Sequence, residues 1–169
     1  MSLEGYLLET SMLSALLDST HGKHADARAV VAALDMASPK YVSVVALAEL
    51  TFGQRLIEAF TGTSPAYLAA ILTEARRHAL LDITRHTAAE YADLKANLAK
   101  MYLDKALRRD RPRWIENWVD KATGQVLQVD ENDLWMCAQV RERDLVMITA
   151  DAKMERVSKA DARVKLQII

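Results

Sequence analysis

Short apolar runs alternate along this chain with longer stretches in which apolar residues return every third or fourth position. Gly5 to Leu8 (GYLL) predicts a buried strand, and it gives way at once to Glu9-Thr10-Ser11, a polar break of helix-capping residues. MLSALLD and then ADARAVVAALDMA read as helices, the second with apolar spacings of three and four. Pro39 separates them from YVSVV, a β-branched run that predicts a second strand. ALAELTFGQRLIEAF (46–60) is amphipathic, and SPAYLAAILTEARRHA follows with Ser64 as expected N-cap and Pro65 just inside. LLDIT predicts a short strand, and Thr87 opens a long helical pattern, TAAEYADLKANLAKMYLDKALRR. Around Asp110 the pattern changes to RDRPRWIENWVDKATGQ, irregular or weakly helical. Asn132 to Arg143 returns to helix, LVMIT to strand, ADAKMERV to a short helix and VKLQII to a last strand. Strands alternating with helices imply parallel pairing through crossovers, hence an α/β sandwich around a buried sheet. With no repeat, linker or low-complexity tract, residues 1–169 read as a single domain.

Composition narrows the function classes. With 169 residues, 51% of them hydrophobic, the chain is long enough to bury a full core, which excludes disorder. Lys plus Arg (22) against Asp plus Glu (23) leaves a net charge of −1, which excludes a general basic coat for nucleic acid but permits local patches. The single cysteine, Cys137, excludes a disulfide scaffold and a Cys-built zinc site, and it suits a reducing compartment. No apolar run approaches the roughly 18 residues of a bilayer span, and MSLEGYLLETS lacks the charged and apolar regions of a signal peptide. The expectation is a soluble, cytoplasmic protein with no membrane association.

In open parallel sheets, functional groups gather at the carboxyl ends of the strands. Three expected strands end in or lead into an acid: Glu9 after GYLL, Glu49 after YVSVV, and Asp151 after VMIT and Thr149. A fourth acid, Asp133, opens the helix before VMIT. Four carboxylates converging on one edge repel one another unless cations neutralise them, so they form a natural site for Mg²⁺ or Mn²⁺. Such ions activate water and stabilise the charge that develops in phosphodiester cleavage. No Walker A loop, GxGxxG, HExxH or Ser/His/Asp order points to another chemistry.

YLLETSMLSAL, SVVALAELTFG and ENDLWMCAQVRERDLVMITAD, with the spacing among them, resemble a PIN domain of the VapC type, the toxin half of bacterial toxin–antitoxin pairs. The resemblance is good over Tyr6 to Phe60 and Asp130 to Val157 and poor between. It implies a PIN-like three-layer sandwich with a central parallel sheet and metal-dependent ribonuclease activity on structured RNA. It also implies a homodimer and a cognate antitoxin that inserts a segment near the acidic pocket. Carried over residue by residue, the acidic quartet is Glu9, Glu49, Asp133 and Asp151, with Ser11 and Thr149 orienting it.

Two features depart from that family. Its first acid is normally Asp, whereas this chain has Glu9, one methylene longer where Mg²⁺ demands near-ideal geometry. About 101–125 is also an insertion, expected to be helical, that holds Arg108, Arg109, Arg111 and Arg113 beside Trp114 and Trp118. These could contact RNA through phosphates and bases. The same arginines could equally be solvated, and the tryptophans core or a partner contact.

Each acid also has an ordinary reading. Glu49 could pair with Arg55, Asp133 could cap its helix with Asn132, and Asp151 could cap the short helix after it. Two functions from different classes therefore stand: a metal-dependent ribonuclease, or a catalytically degenerate PIN-fold module that binds RNA or a protein. Cys137 reads as a small buried hydrophobe, Trp135 and Met136 as packing residues, and His21 and His24 as solvated.

Overall fold

The computed structural model describes residues 4–169, with 107 and 108 described in backbone only. Its first strand, β1 (Tyr6–Leu8), leads through α1 (Thr10–Leu17) and α2 (His24–Ala33) to β2 (Lys40–Ser43). Helices α3 (Val44–Thr61) and α4 (Ala66–Ala75) connect β2 to β3 (Ala79–Leu81). The chain then returns through α5 (Arg85–Tyr102) and α6 (Glu131–Arg143) to β4 (Val146–Thr149), and passes by α7 (Glu155–Ala160) to β5 (Lys165–Ile168).

All five strands are parallel, in the order β3-β2-β1-β4-β5. Leu8 of β1 pairs with Val42 of β2 on one side and Ile148 of β4 on the other. Parallel sheets persist where both faces are covered, and Leu7, Leu8, Val42, Met147 and Ile148 are accordingly buried. Successive crossovers run outward from β1 to β3 and then outward again from β4 to β5. The direction of winding therefore reverses between β1 and β4, which makes their carboxyl ends the crevice of the sheet. Seven helices flank the sheet among the described residues, as expected of a PIN-like α/β fold.

Several element boundaries differ from the sequence reading, each for a local reason. YVSVV is a strand only to Ser43, because the Ser43 hydroxyl caps α3 by accepting from the Val45 N–H at 3.0 Å. Ser64 does not cap α4; its hydroxyl accepts from Gln54 Nε2 at 2.6 Å, and Pro65 occupies the cap position. The long helix starts before Thr87, since Thr84 and Thr87 form a reciprocal capping box. It ends at Tyr102, where Lys121 Nζ covers the Lys100 carbonyl at 3.3 Å. α3 ends on Gly62, whose φ of 72° closes the last turn, its N–H reaching the Glu58 carbonyl at 2.8 Å.

The 101–125 stretch is a folded loop with two short 3₁₀ turns, Lys105–Arg108 and Ile115–Asn117, rather than a regular helix. Ile115 and Trp118 are buried in the core, and Trp118 Nε1 donates to the Pro112 carbonyl at 2.9 Å. α6 is held against α5 by the stack of Trp135 on Tyr91, with centroids 4.0 Å apart. The fully buried Arg141 side chain adds ion pairs to Glu90 (2.9 Å) and Asp161 (3.4 Å).

Candidate active site at the carboxyl edge of the sheet

Glu9 sits where β1 stops. Its N–H still donates to the Ile148 carbonyl of β4 at 3.1 Å, while its carboxylate caps α1 by accepting from the Ser11 N–H at 2.9 Å. The Ser11 hydroxyl donates to the same carboxylate, and the Thr149 hydroxyl donates to it at 2.9 Å. Both hydroxyls also accept: Ser11 Oγ from the Ala150 N–H at 2.9 Å and Thr149 Oγ1 from the Asp151 N–H at 3.0 Å. Ser11 and Thr149 therefore lace the start of α1 to the end of β4, with the buried Glu9 carboxylate between them.

Glu49 faces this point from the second turn of α3. Its Oε2 accepts from Thr10 Oγ1 at 2.6 Å and its Oε1 from Asn132 Nδ2 at 2.9 Å, so Arg55 is not its partner. Thr10 and Asn132 stand next in sequence to Glu9 and Asp133, and Glu49 ties the two neighbourhoods together. Asp133 occupies the first turn of α6, whose cap is Asp130 rather than Asn132. Asp130 accepts from the Asp133 N–H at 2.8 Å, and Asp133 accepts from the Asp130 N–H at 3.2 Å.

The electrostatics reflect this crowding. The Asp133 carboxyl is pushed up to about 8 by burial, by Asp130, and by the charges of Glu9 and Glu49, against the lowering effect of the Asp130 N–H bond. Burial also raises the Glu9 carboxyl and Glu49 adds to the rise, while the bonds from Ser11 and Thr149 oppose it. One turn below Asp133, the Cys137 thiol is fully buried and held protonated by burial and by the charges of Asp133 and Glu9.

The structure thus brings Glu9, Glu49 and Asp133 together and adds Asp130, an acid whose capping role hid it in the sequence. Thr10 and Asn132 were likewise legible only as capping residues beside acids. Asp151 belongs to the same strand end through its N–H bond to Thr149. Its carboxylate, however, accepts from the Lys153 N–H at 2.9 Å and caps a 3₁₀ turn. Among the described residues, no three His, Cys, Asp or Glu side chains converge closely enough to enclose one ion as they stand. The donor chemistry nonetheless fits a hard divalent cation. All donors are carboxylate oxygens, and the raised Asp133 carboxyl marks an excess of negative charge that a cation would relieve.

Arg109, Arg111 and Arg113 lie on the exposed side of the 101–125 loop, and the side chain of Arg108 lies outside the described residues. Arg113 covers the ring of the half-exposed Trp114 at 4.7 Å. His24 Nδ1 bonds the Ala15 carbonyl at 2.9 Å, and His21 accepts from the Lys23 N–H at 3.1 Å, so both histidines serve local turns.

Comparison with known proteins places this geometry. The PIN domain family model matches residues 6–160. Among curated sequences no significant match is found. Among solved structures, VapBC-5 from Mycobacterium tuberculosis superposes with a TM-score of 0.62 at 22% identity, over 98% of this chain and 99% of that one. VapBC-1 from nontypeable Haemophilus influenzae gives 0.60 at 19%, over 96% of each chain. VapC20 from M. tuberculosis, described as a toxin that cleaves the sarcin–ricin loop, gives 0.52 at 16%, over 93% of this chain and 95% of that one. With nearly its whole length matched by the family model and an acidic crevice at the β1/β4 switch point, this chain belongs to the PIN domain family.

Proposed function

We propose that this protein is a metal-dependent endoribonuclease acting on structured RNA in the cytoplasm, and the toxin of a toxin–antitoxin pair. The observation that carries the reading is the gathering of Glu9, Glu49 and Asp133 at the β1/β4 edge, where Glu49 bonds Thr10 beside Glu9 and Asn132 beside Asp133; the crowding raises the Asp133 carboxyl. Glu9, Glu49, Asp133 and Asp151 are the residues that would hold Mg²⁺ or Mn²⁺. When bound, the ion supplies a water of lowered pKa and a counter-charge for the phosphate oxygens.

The chain's own contribution is to fix those donors. The Ser11 and Thr149 hydroxyls hold the Glu9 carboxylate against rotation. Thr10 and Asn132 hold both oxygens of Glu49, and the Asp130 N–H orients Asp133. At neutral pH the raised carboxyl of Asp133 keeps it largely protonated until a cation displaces the proton. Pairing with an antitoxin, and a homodimer, follow the same reading; the similar structures include VapBC complexes, one of them bound to promoter DNA.

One observation favours a second reading, a degenerate PIN module that binds RNA or a protein without turnover. The Glu9 carboxylate is folded onto Ser11 and Thr149, where the longer side chain satisfies itself without a metal. The test is cleavage of a mixed cellular RNA pool by antitoxin-free protein with Mg²⁺, with Mn²⁺ and with chelator, beside Asp133→Asn and Glu9→Asp. Discrete metal-dependent products that Asp133→Asn abolishes support the nuclease. No products from either the natural protein or Glu9→Asp, with the fold intact by circular dichroism, leave the binding module.

A further inference from the structure

Away from the acidic crevice, α5 and the 101–125 loop enclose a groove of about 900 Å³. Its floor is apolar: Leu103, the buried Trp118, and a flat α5 face on which Ala92, Ala96 and Ala99 leave the backbone close to the surface. Its charge is the reverse of the crevice, since five Lys or Arg side chains and one Asp line it in a chain of net charge −1. Lys95 and Lys121 have structural duties. Lys95 pairs with Glu131 and donates to the Tyr91 hydroxyl at 2.9 Å, and Lys121 covers carbonyls at the end of α5. Lys100 and Lys105 stand at the exposed rim, with Arg111 beside them.

The groove and the crevice meet at one element. Glu131, which anchors Lys95, Tyr91 and the Ile115 N–H (3.3 Å), lies two residues before Asp133 in the first turn of α6. Two residues are about 200° apart around a helix, so Glu131 faces the groove while Asp133 faces the crevice, separated by about the 10 Å width of the helix. A ligand that meets both sites must therefore be a polymer that crosses the N-terminus of α6.

We propose that this groove binds a single-stranded segment of the RNA that the acidic crevice acts on. In this arrangement phosphates meet Lys100 and Lys105, and a base lies against the exposed Ala92 and Ala96 face of α5. RNA repeats an anionic phosphate and a planar apolar face at every nucleotide, so one strand satisfies rim and floor together. An acidic peptide matches the rim alone. The assignment rests on the ribonuclease reading for the identity of the polymer, and the groove residues act in binding rather than in chemistry.

The test is fluorescence anisotropy of a labelled 12-nucleotide single-stranded RNA with the full chain in chelator, so that cleavage does not enter the readout. Lys100→Gln with Lys105→Gln is compared with Arg28→Gln plus Arg76→Gln, an exposed pair on other elements that removes the same net charge. All four positions are exposed, and thermal melting verifies that each variant folds.

The groove pair is expected to weaken binding about fivefold or more and to lower the slope of log Kd against log salt by about 1.4, with the control pair close to the natural protein. Equal weakening by both pairs, or by neither, overturns the proposal. So does tighter binding of a labelled 12-residue polyglutamate that is lost in the groove pair, because it assigns the groove to an acidic protein segment. RNA binding through the groove without cleavage at any metal concentration would overturn the nuclease reading and leave the groove standing. Cleavage with unchanged binding by the groove pair would do the reverse.

Discussion

Asp133→Asn should make the metal-free protein more stable at pH 8, not less. Burial, Asp130, Glu9 and Glu49 raise the Asp133 carboxyl from 3.8 to about 8. Between those values the folded state holds a proton that the unfolded chain has released. The stability associated with this group is therefore present below about pH 4 and is lost as the pH rises toward 8. A span of about four pH units at ~1.4 kcal/mol each sets a ceiling of about 5–6 kcal/mol. The partial exposure of Asp133 and an effective dielectric near 20 reduce the expected penalty to about 2–3 kcal/mol. Asn removes the charge and keeps an oxygen for the Asp130 N–H, so the α6 cap survives.

Thermal unfolding in chelator from pH 4.5 to 8.5 reads the effect directly. The natural protein should lose melting temperature relative to Asp133→Asn as the pH rises, reaching a deficit of about 5–10 °C at pH 8. Equal pH profiles for the two proteins, or a variant less stable at pH 8 than the natural chain, would refute the claim that these carboxylates crowd one another.

Three further outcomes follow from other contacts. Thr149→Val should cost about 1–3 kcal/mol in urea unfolding, because it strips a hydroxyl from the Glu9 carboxylate and from the Asp151 N–H, and it should lower RNA cleavage by about 10–100-fold. Glu9→Asp should tighten Mg²⁺ binding and raise the cleavage rate in Mg²⁺ more than in Mn²⁺, since the shorter side chain withdraws from Ser11 and Thr149; a slower enzyme in both ions would contradict this. Trp118→Ala should cost about 3–5 kcal/mol, whereas Trp114→Ala, at 51% exposure, should stay within about 0.5 kcal/mol by the same denaturant titration.

The alternation of apolar runs with helical spacing was enough to read five strands, their parallel pairing and the edge on which the acids fall. Parallel strands buried on both faces are near-continuous apolar runs, and GYLL and LVMIT show this directly. Boundaries were less legible where one residue serves two elements, as Ser43 both ends β2 and caps α3. The 101–125 stretch reads as irregular or weakly helical from Asp110 on, in keeping with its two short 3₁₀ turns; the helix expected of the insertion as a whole is absent because the burial of Ile115 and Trp118, which its charges mask, organises it instead.

At the site, the acids were legible one at a time, since each follows a strand or opens a helix. Their partners were not, because Thr10 and Asn132 carry no chemical signature until α3 brings Glu49 between them. Asp130 was hidden for the same reason, its capping duty being indistinguishable from that of any helix start. The basic groove was legible only in part: Arg111 and Trp118 stood out in the 101–125 stretch, but Lys95 and Lys121 join them only once the chain turns back along α5.

The central claim is that the carboxylates at the β1/β4 edge form a divalent-cation site, and Mn²⁺ titration by calorimetry at pH 7 tests it most directly. The natural protein should bind Mn²⁺ with release of a substantial fraction of a proton, seen as a dependence of the heat on buffer, because Asp133 must ionise to become a ligand. Asp133→Asn should bind at least about tenfold more weakly and release almost none. No saturable binding by the natural protein, or equal affinity and proton release in the two proteins, would contradict the account.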